Sequence, residues 1–367
     1  MKPPIVLVIH GMGTHVTGDV IKEVKTGLNA SASFLGLQNF ALDTHFDFEE
    51  YNYSEYFDEQ RKAQGDFFKA LGKVIPFSSR FLQELFQFQA KLADDSFFYT
   101  HWLDVITYGV LDTIRITAML RLKEKLLTLL RDAANDAEGK RDVIVVAHSL
   151  GTAMTHDVLT SLYLRPDEPD DDEKIRYINH PLSGLWMVAN VSRMTQILTR
   201  YLDPNHSIVR DDSANSAGVA KIYYPIYNQF DPFTVFKRYL VEPVYGDLIR
   251  TNSLRFIKHT DGSKTVNPRS LTEYFSDPEV GAEFLYQHTM LQITPAMRQA
   301  AKVKYLTTTI DGELKDAVKE ILAKIKALSN TVNASNDLLS LISCSMQLFL
   351  FVKELKDLYA TSSKQGA

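Results

Sequence analysis

The chain has 367 residues, 45% of them hydrophobic and 23% charged, with a formal net charge of −5. That is enough apolar material for one large α/β domain or two small ones, and with no Lys/Arg-rich run there is no positive field to attract nucleic acid. Cys344 is the single cysteine, which excludes an internal disulfide and argues against a cysteine-based zinc site.

The first element predicted is a strand at Ile5–Ile9, a β-branched run that ends at His10-Gly11. Such continuous apolar runs suit strands buried on both faces of a parallel sheet. This run is shorter than the roughly 7–15 residue core of a signal peptide, so a cytoplasmic protein is expected. Residues 67–134 are helical in pattern, with FLQELFQF at 81–88 apolar at helical spacing and a long helical pair over 102–130. The stretch holds core helices. Its apolar surplus over 67–130 is read as a helical insertion that caps a site.

Further buried strands are predicted at 142–146, 185–189, 221–227 and 253–258, with a helix over 152–164 after the second strand. The acidic run DEPDDDE at 167–173 reads as a solvated loop. Strands alternating with helices predict a mostly parallel sheet covered on both faces. A helix is expected over 278–288. Residues 1–295 form the main domain, and 296–360 a helical extension. Apolar positions Leu314, Ala317, Val318, Ile321, Leu322, Ile325 and Leu328 make 312–328 amphipathic. The denser stripe LLSLISCSMQLFLFV at 338–352 is too short for the roughly 20 residues that span a bilayer. A docked helical hairpin, a homodimer contact and an in-plane membrane contact remain open for residues 335–359. The tail at 361–367 is expected to be disordered.

Chemistry concentrates at VVAHSLGT, residues 145–152. Ser149 falls between a buried strand and a helix, with Ala147 and Gly151 two residues away on either side. A turn this sharp strains the serine backbone and needs small residues at those two positions. The helix N-terminus then aims free N–H groups at a reacting oxygen. The segment resembles the nucleophile elbow of α/β-hydrolases, in the A-H-S-x-G form found among lipase-like members. HGMG at 10–13 is similar to their oxyanion loop.

The resemblance implies a reduced α/β-hydrolase fold of about six parallel strands, with few residues before the first. It also implies a serine carboxylester hydrolase acting on an apolar or lipid ester. Ser149 would be the nucleophile, and the backbone N–H groups of Met12 and Leu150 the oxyanion hole. No metal or organic cofactor is implied. His10 and His148 read as structural. The family order of nucleophile, acid, histidine places the acid at Asp231, in NQFDPF at 228–233, where Pro232 biases Asp231 away from helix.

The base is where the chain departs from the family. A histidine is expected in a segment like N-P-H-S-L-x-x-Y, and residues 267–274 read NPRSLTEY. Arginine stays protonated and cannot be the base. The base is left open between His259, at the end of the last predicted strand, His288, near the end of a helix, and an incomplete triad. Asp261-Gly262 is a tight-turn signal that would put His259 within a hairpin instead. The alternative to an enzyme is a catalytically impaired hydrolase-like interaction module.

Overall fold

The computed structural model describes residues 2–11, 16–53, 112–164, 169–192, 219–239, 248–258, 264–333 and 338–365. Six parallel strands form the central sheet: β1 (Ile5–Ile9), β2 (Asp47–Tyr51), β3 (Val143–His148), β4 (Gly184–Val188), β5 (Tyr223–Asn228) and β6 (Ile249–Thr251). Their order is β2-β1-β3-β4-β5-β6. Alternate side chains of each strand enter opposite layers, as the pleat requires. Leu7, Val145, Ala147 and Met187 enter one, with helices α2 (Asp112–Ala134) and α3 (Leu150–Leu162). Val6, Val8, Val146 and Trp186 enter the other, with α1 (Asp19–Phe34). Both faces of the sheet are therefore covered, which is why its central strands read as largely apolar runs.

After the short helix α4 (Pro232–Phe236) come α5 (Leu271–Ser276), α6 (Pro278–His288) and α7 (Pro295–Leu306), which join the α1 layer. The last two helices, α8 (Glu313–Asn333) and α9 (Leu338–Gln365), pack on each other and enter the α3 layer through Val318, Ile325, Leu348 and Leu355. The hairpin is thus docked on the sheet domain. No helix among the described residues is long and apolar enough to cross a membrane.

Four features differ from the sequence expectations. Residues 253–258 are not a strand of the main sheet, whose last strand is Ile249–Thr251. Ser253 turns inward to hydrogen-bond Asp277 and Tyr305, and the Leu254 carbonyl accepts from Ile310 N–H, so the chain leaves the sheet. Only Ile257–Lys258 (β7) is extended, paired antiparallel with Lys264–Thr265 (β8). The edge strand Asp47–Tyr51 escaped notice because its sequence, DFEEY, is charged. Within the expected cap, 112–130 is a core helix packed beside α3, and 67–111 lies outside the described residues. Finally, α9 continues to Gln365 through the start of the expected disordered tail. Thr361 and Ser362 donate to the carbonyls of Asp357 and Leu358 along this last stretch.

Candidate functional site

The chain leaves β1 toward β2 and returns to β3 on the other side of β1. In open α/β sheets, ligands bind outside the carboxyl ends of the strands at such a reversal. Ser149 fills the turn from β3 into α3 there, with φ 53° and ψ −121°. A non-glycine residue in this region carries strain of roughly 1–3 kcal/mol. Two bonds fix it: Ser149 N–H donates to Val188 O at 3.0 Å, and Thr152 N–H donates to Ser149 O at 2.9 Å.

The small neighbours are dictated by contact. A Cβ at Gly151 would lie 2.4 Å from His10 O and 2.8 Å from Ile9 O, because α3 begins directly against the end of β1. A Cβ at Gly11 would come within 2.9 Å of Ser149 Cβ. Leu150 is the first residue of α3, so its N–H is one of the four that a helix leaves without an intrahelical partner. Met12, the other expected oxyanion donor, lies outside the described residues.

Asp231 follows β5, two strands beyond β3, and is fully buried. Pro232 opens α4, and the Asp231 carboxylate caps that helix by accepting from Phe233 N–H at 3.0 Å. Burial pushes the Asp231 carboxyl up. The Arg269 charge and the hydrogen bonds from Arg269, Phe233 and Thr234 pull it partly back. Its Oδ2 has no hydrogen-bond partner among the described residues.

Arg269 joins the two. Its Nη1 donates to Asp231 Oδ1 at 2.8 Å and its Nη2 to Ser149 Oγ at 2.5 Å, while the guanidinium lies 4.3 Å over the Phe233 ring. Ser149, Arg269 and Asp231 are 1%, 8% and 0% exposed, so the chain of contacts is buried. The backbone of 267–271 is held at every step. Arg269 N–H donates to Asn267 Oδ1, His148 Nε2–H to Arg269 O at 2.8 Å, and Leu271 N–H to Glu23 Oε2. Ser270 then caps α5 by accepting from Glu273 N–H. The segment therefore delivers residue 269 to the gap between acid and serine. The two Nη atoms are spaced about like the two nitrogens of an imidazole. The difference is chemical: a guanidinium has five donors and no acceptor.

The α8–α9 hairpin closes the acid's side. α8 packs on α4, and Tyr359 of α9 lies near enough to Asp231 that the carboxylate adds to the rise that burial gives the Tyr359 phenol.

His259 lies outside the described residues, between β7 and β8, whose antiparallel pairing matches the tight-turn signal of Asp261-Gly262. His288 is not at this site. Its Nε2 accepts from Trp186 Nε1–H at 2.9 Å, and its ring lies against Gly184, the first residue of β4. Ser149 sits past the opposite end of the neighbouring strand, five residues beyond Ile144, the partner of Gly184, and so roughly 16 Å away along the sheet at about 3.3 Å per residue. Burial pushes the His288 pKa down to about 3, which keeps the imidazole neutral in its apolar layer. His10 is structural: Nδ1–H donates to Gly11 O, Nε2 accepts from Tyr53 N–H, and the ring stacks on Tyr53. No group of residues suited to a metal ion occurs among the described residues.

Sequence reasoning marked Arg269 as an anomaly but missed that it bridges both partners. The signal was the intact frame around it, Asn267-Pro268 before and Ser270-Leu271 after. The fold and site define an α/β protein with a parallel six-stranded sheet and a buried Ser–Arg–Asp chain at its carboxyl edge. The chain matches no protein-family model, no curated protein and no solved structure.

Proposed function

We propose that this chain is an α/β-hydrolase-type domain that does not hydrolyse esters through Ser149, and that it acts as a binding or interaction module. One observation carries the reading: a guanidinium stands between Ser149 Oγ and Asp231 Oδ1, where a hydrolase needs an imidazole. Nucleophilic attack by serine requires a base to take the hydroxyl proton. Arg269 instead donates into an Oγ lone pair. Its charge favours an alkoxide, yet it has nowhere to put the proton. Incubation of the folded chain with a fluorophosphonate probe tests this. Absence of labelling at Ser149 is expected, and stoichiometric labelling at rates typical of serine hydrolases refutes it.

A second reading is a serine carboxylester hydrolase acting on apolar or lipid esters, with His259 as base. The strained backbone of Ser149 favours it, because strain of this size persists where function holds it. Ser149 would attack the ester carbonyl. The N–H groups of Met12 and Leu150 would hold the oxyanion, and water would release the acyl group with the same histidine as base. It requires Arg269 to leave Ser149 and the 259–263 segment to reach it. Loss of labelling in His259→Ala, with the fold intact, separates this reading from the first.

A further inference from the structure

Tyr274 closes the segment NPRSLTEY that carries Arg269, and only 2% of it is exposed. Its Oη accepts the Asn228 N–H at 2.9 Å, which anchors the phenol at the last residue of β5. Asn228 and Asp231 belong to one turn, since the Asp231 N–H donates to Asn228 O at 3.1 Å. The phenol therefore stands at the base of the turn that presents the acid. A phenolic hydroxyl both accepts and donates. Here the bond with Asn228 uses its acceptor side, and burial leaves no solvent to take its proton.

The Asp231 carboxylate faces that proton. Burial pushes the Tyr274 phenol well above its ordinary range. The Asp231 charge and a hydrogen-bonding approach to Asp231 add to the rise, while the Arg269 charge and the Asn228 N–H oppose it. Tyr274 thus keeps its proton at neutral pH. On the acid's side, Oδ1 receives Arg269 Nη1 and Phe233 N–H, while Oδ2 has no partner of ordinary hydrogen-bond length among the described residues. A buried carboxylate oxygen and a buried hydroxyl proton are each costly when unpaired, and a slight rotation of either side chain joins them.

We propose that Tyr274 is a positioning residue, its hydroxyl donating to the Asp231 carboxylate and so holding the acid in place for residue 269. One segment then grips the acid twice, with a cation just before the Ser270 cap of α5 and a neutral donor from within that helix. The Ser149–Arg269–Asp231 chain gains a fourth member that ends on the backbone of β5. The role rests on the proposed reading, in which Arg269 rather than an imidazole joins acid and serine, and Tyr274 acts on Arg269 only through Asp231.

The test is a pH titration of the Asp231 carboxyl carbon by NMR, in the full chain labelled with carbon-13 aspartate, the signal being the one lost in Asp231→Asn. The groups facing that carboxyl are Arg269, Tyr274, the N–H groups of Phe233 and Thr234 on α4, and Tyr359 on α9. With one donor removed in Tyr274→Phe, Asp231 should hold its proton at least about threefold more tightly. Tyr359→Phe should change it less, and an equal change in the two overturns the assignment to Tyr274. Tyr274→Phe also leaves the Asn228 N–H unpaired, so its stability alone decides nothing. Replacing Tyr274 by 3-fluorotyrosine keeps that acceptor and sharpens the donor, and Asp231 should then release its proton more readily; this arm stands even if Tyr274→Phe does not fold. An Asp231 titration unmoved in either folded variant overturns the proposal. Fluorophosphonate labelling of wild-type Ser149 would instead refute the reading beneath it, without altering these titrations.

Discussion

On the proposed reading, replacing Arg269 by histidine should make Ser149 reactive. The segment carrying residue 269 is fixed by Asn267, His148 and Glu23 through backbone groups, so the substitution keeps those bonds and changes only what reaches into the gap. An imidazole there would accept the Ser149 proton at one nitrogen and donate to Asp231 from the other. A positioned general base contributes about 10²–10⁴ in rate. Arg269→His should therefore gain fluorophosphonate labelling and short-ester hydrolysis on that scale, toward the lower end because the imidazole is shorter and the loop must settle inward. The substitution also removes the cation beside a fully buried carboxylate, and breaking a buried pair costs about 3–5 kcal/mol. The imidazole N–H offsets part of that. Arg269→Gln is the control, with the same loss of charge and no base, and it should be destabilised yet stay unreactive. Labelling rates on protein shown folded by circular dichroism decide the matter. The reasoning fails if wild type already labels as fast as Arg269→His, or if folded Arg269→His labels no faster than Arg269→Gln.

Gly151→Ala should destabilise by about 1–3 kcal/mol in denaturant titrations, because its Cβ would meet two backbone oxygens that cannot move aside; an unchanged midpoint would mean α3 is not pressed on β1. His288 gives a pH signature. Its folded pKa is lowered from 6.5 to about 3, so the unfolded chain takes up the proton first, and the stability present above pH 6.5 is lost as pH falls toward 3. At pH 4.5 the loss is about 3 kcal/mol. His288→Gln keeps an acceptor for Trp186 and should remove that slope. Asp277, raised to about 6, acts in the opposite sense, with stability falling as pH rises from 3.8 to 6. The test is therefore the difference between wild type and His288→Gln across pH 4.5–7. Ile325→Ala, in the buried face of α8, should cost about 2–5 kcal/mol, whereas Leu350→Ala on α9, at 59% exposed, should change stability by less than about 0.5 kcal/mol. Equal effects of the two would refute a hairpin docked through one face.

The sheet was legible where strands are buried on both faces. Ile5–Ile9 and the runs ending at His148, Val188 and Asn228 announce themselves because nearly all of their residues are buried and apolar or aromatic. Asp47–Tyr51 was illegible for the converse reason, since this edge strand has no fully buried residue and so tolerates Asp47, Glu49 and Glu50. The 253–258 run misled because its pattern cannot reveal that Ser253 is claimed by Asp277 and Tyr305. Ser149 and Asp231 could be read from local sequence, since each sits in a turn whose neighbours are forced by sterics: Gly151 against β1, and Pro232 at the start of α4. The bridging role of Arg269 could not, because it depends on two partners 120 and 38 residues away.

The choice of arginine at 269 follows from the acid rather than the serine. Asp231 has no exposure, and its Oδ2 has no hydrogen-bond partner among the described residues, so an uncompensated charge there would drive the carboxyl to protonate or the fold to open. A small neutral residue at 269 would leave that problem in place. A lysine would offer one compact charge that cannot reach both Asp231 and Ser149 through a planar fork. Arginine satisfies Asp231 Oδ1, covers Phe233 and occupies Ser149 Oγ with a single side chain. On the proposed reading, the same contacts that keep the buried acid tolerable also withhold a base from the serine. It follows that relieving the acid separately should free residue 269. In Asp231→Asn the need for a cation disappears, and Arg269→Gln should then cost clearly less than the about 3–5 kcal/mol expected in the wild-type background. A double-mutant cycle at equilibrium measures that difference, and additive costs would show that the acid does not dictate the arginine.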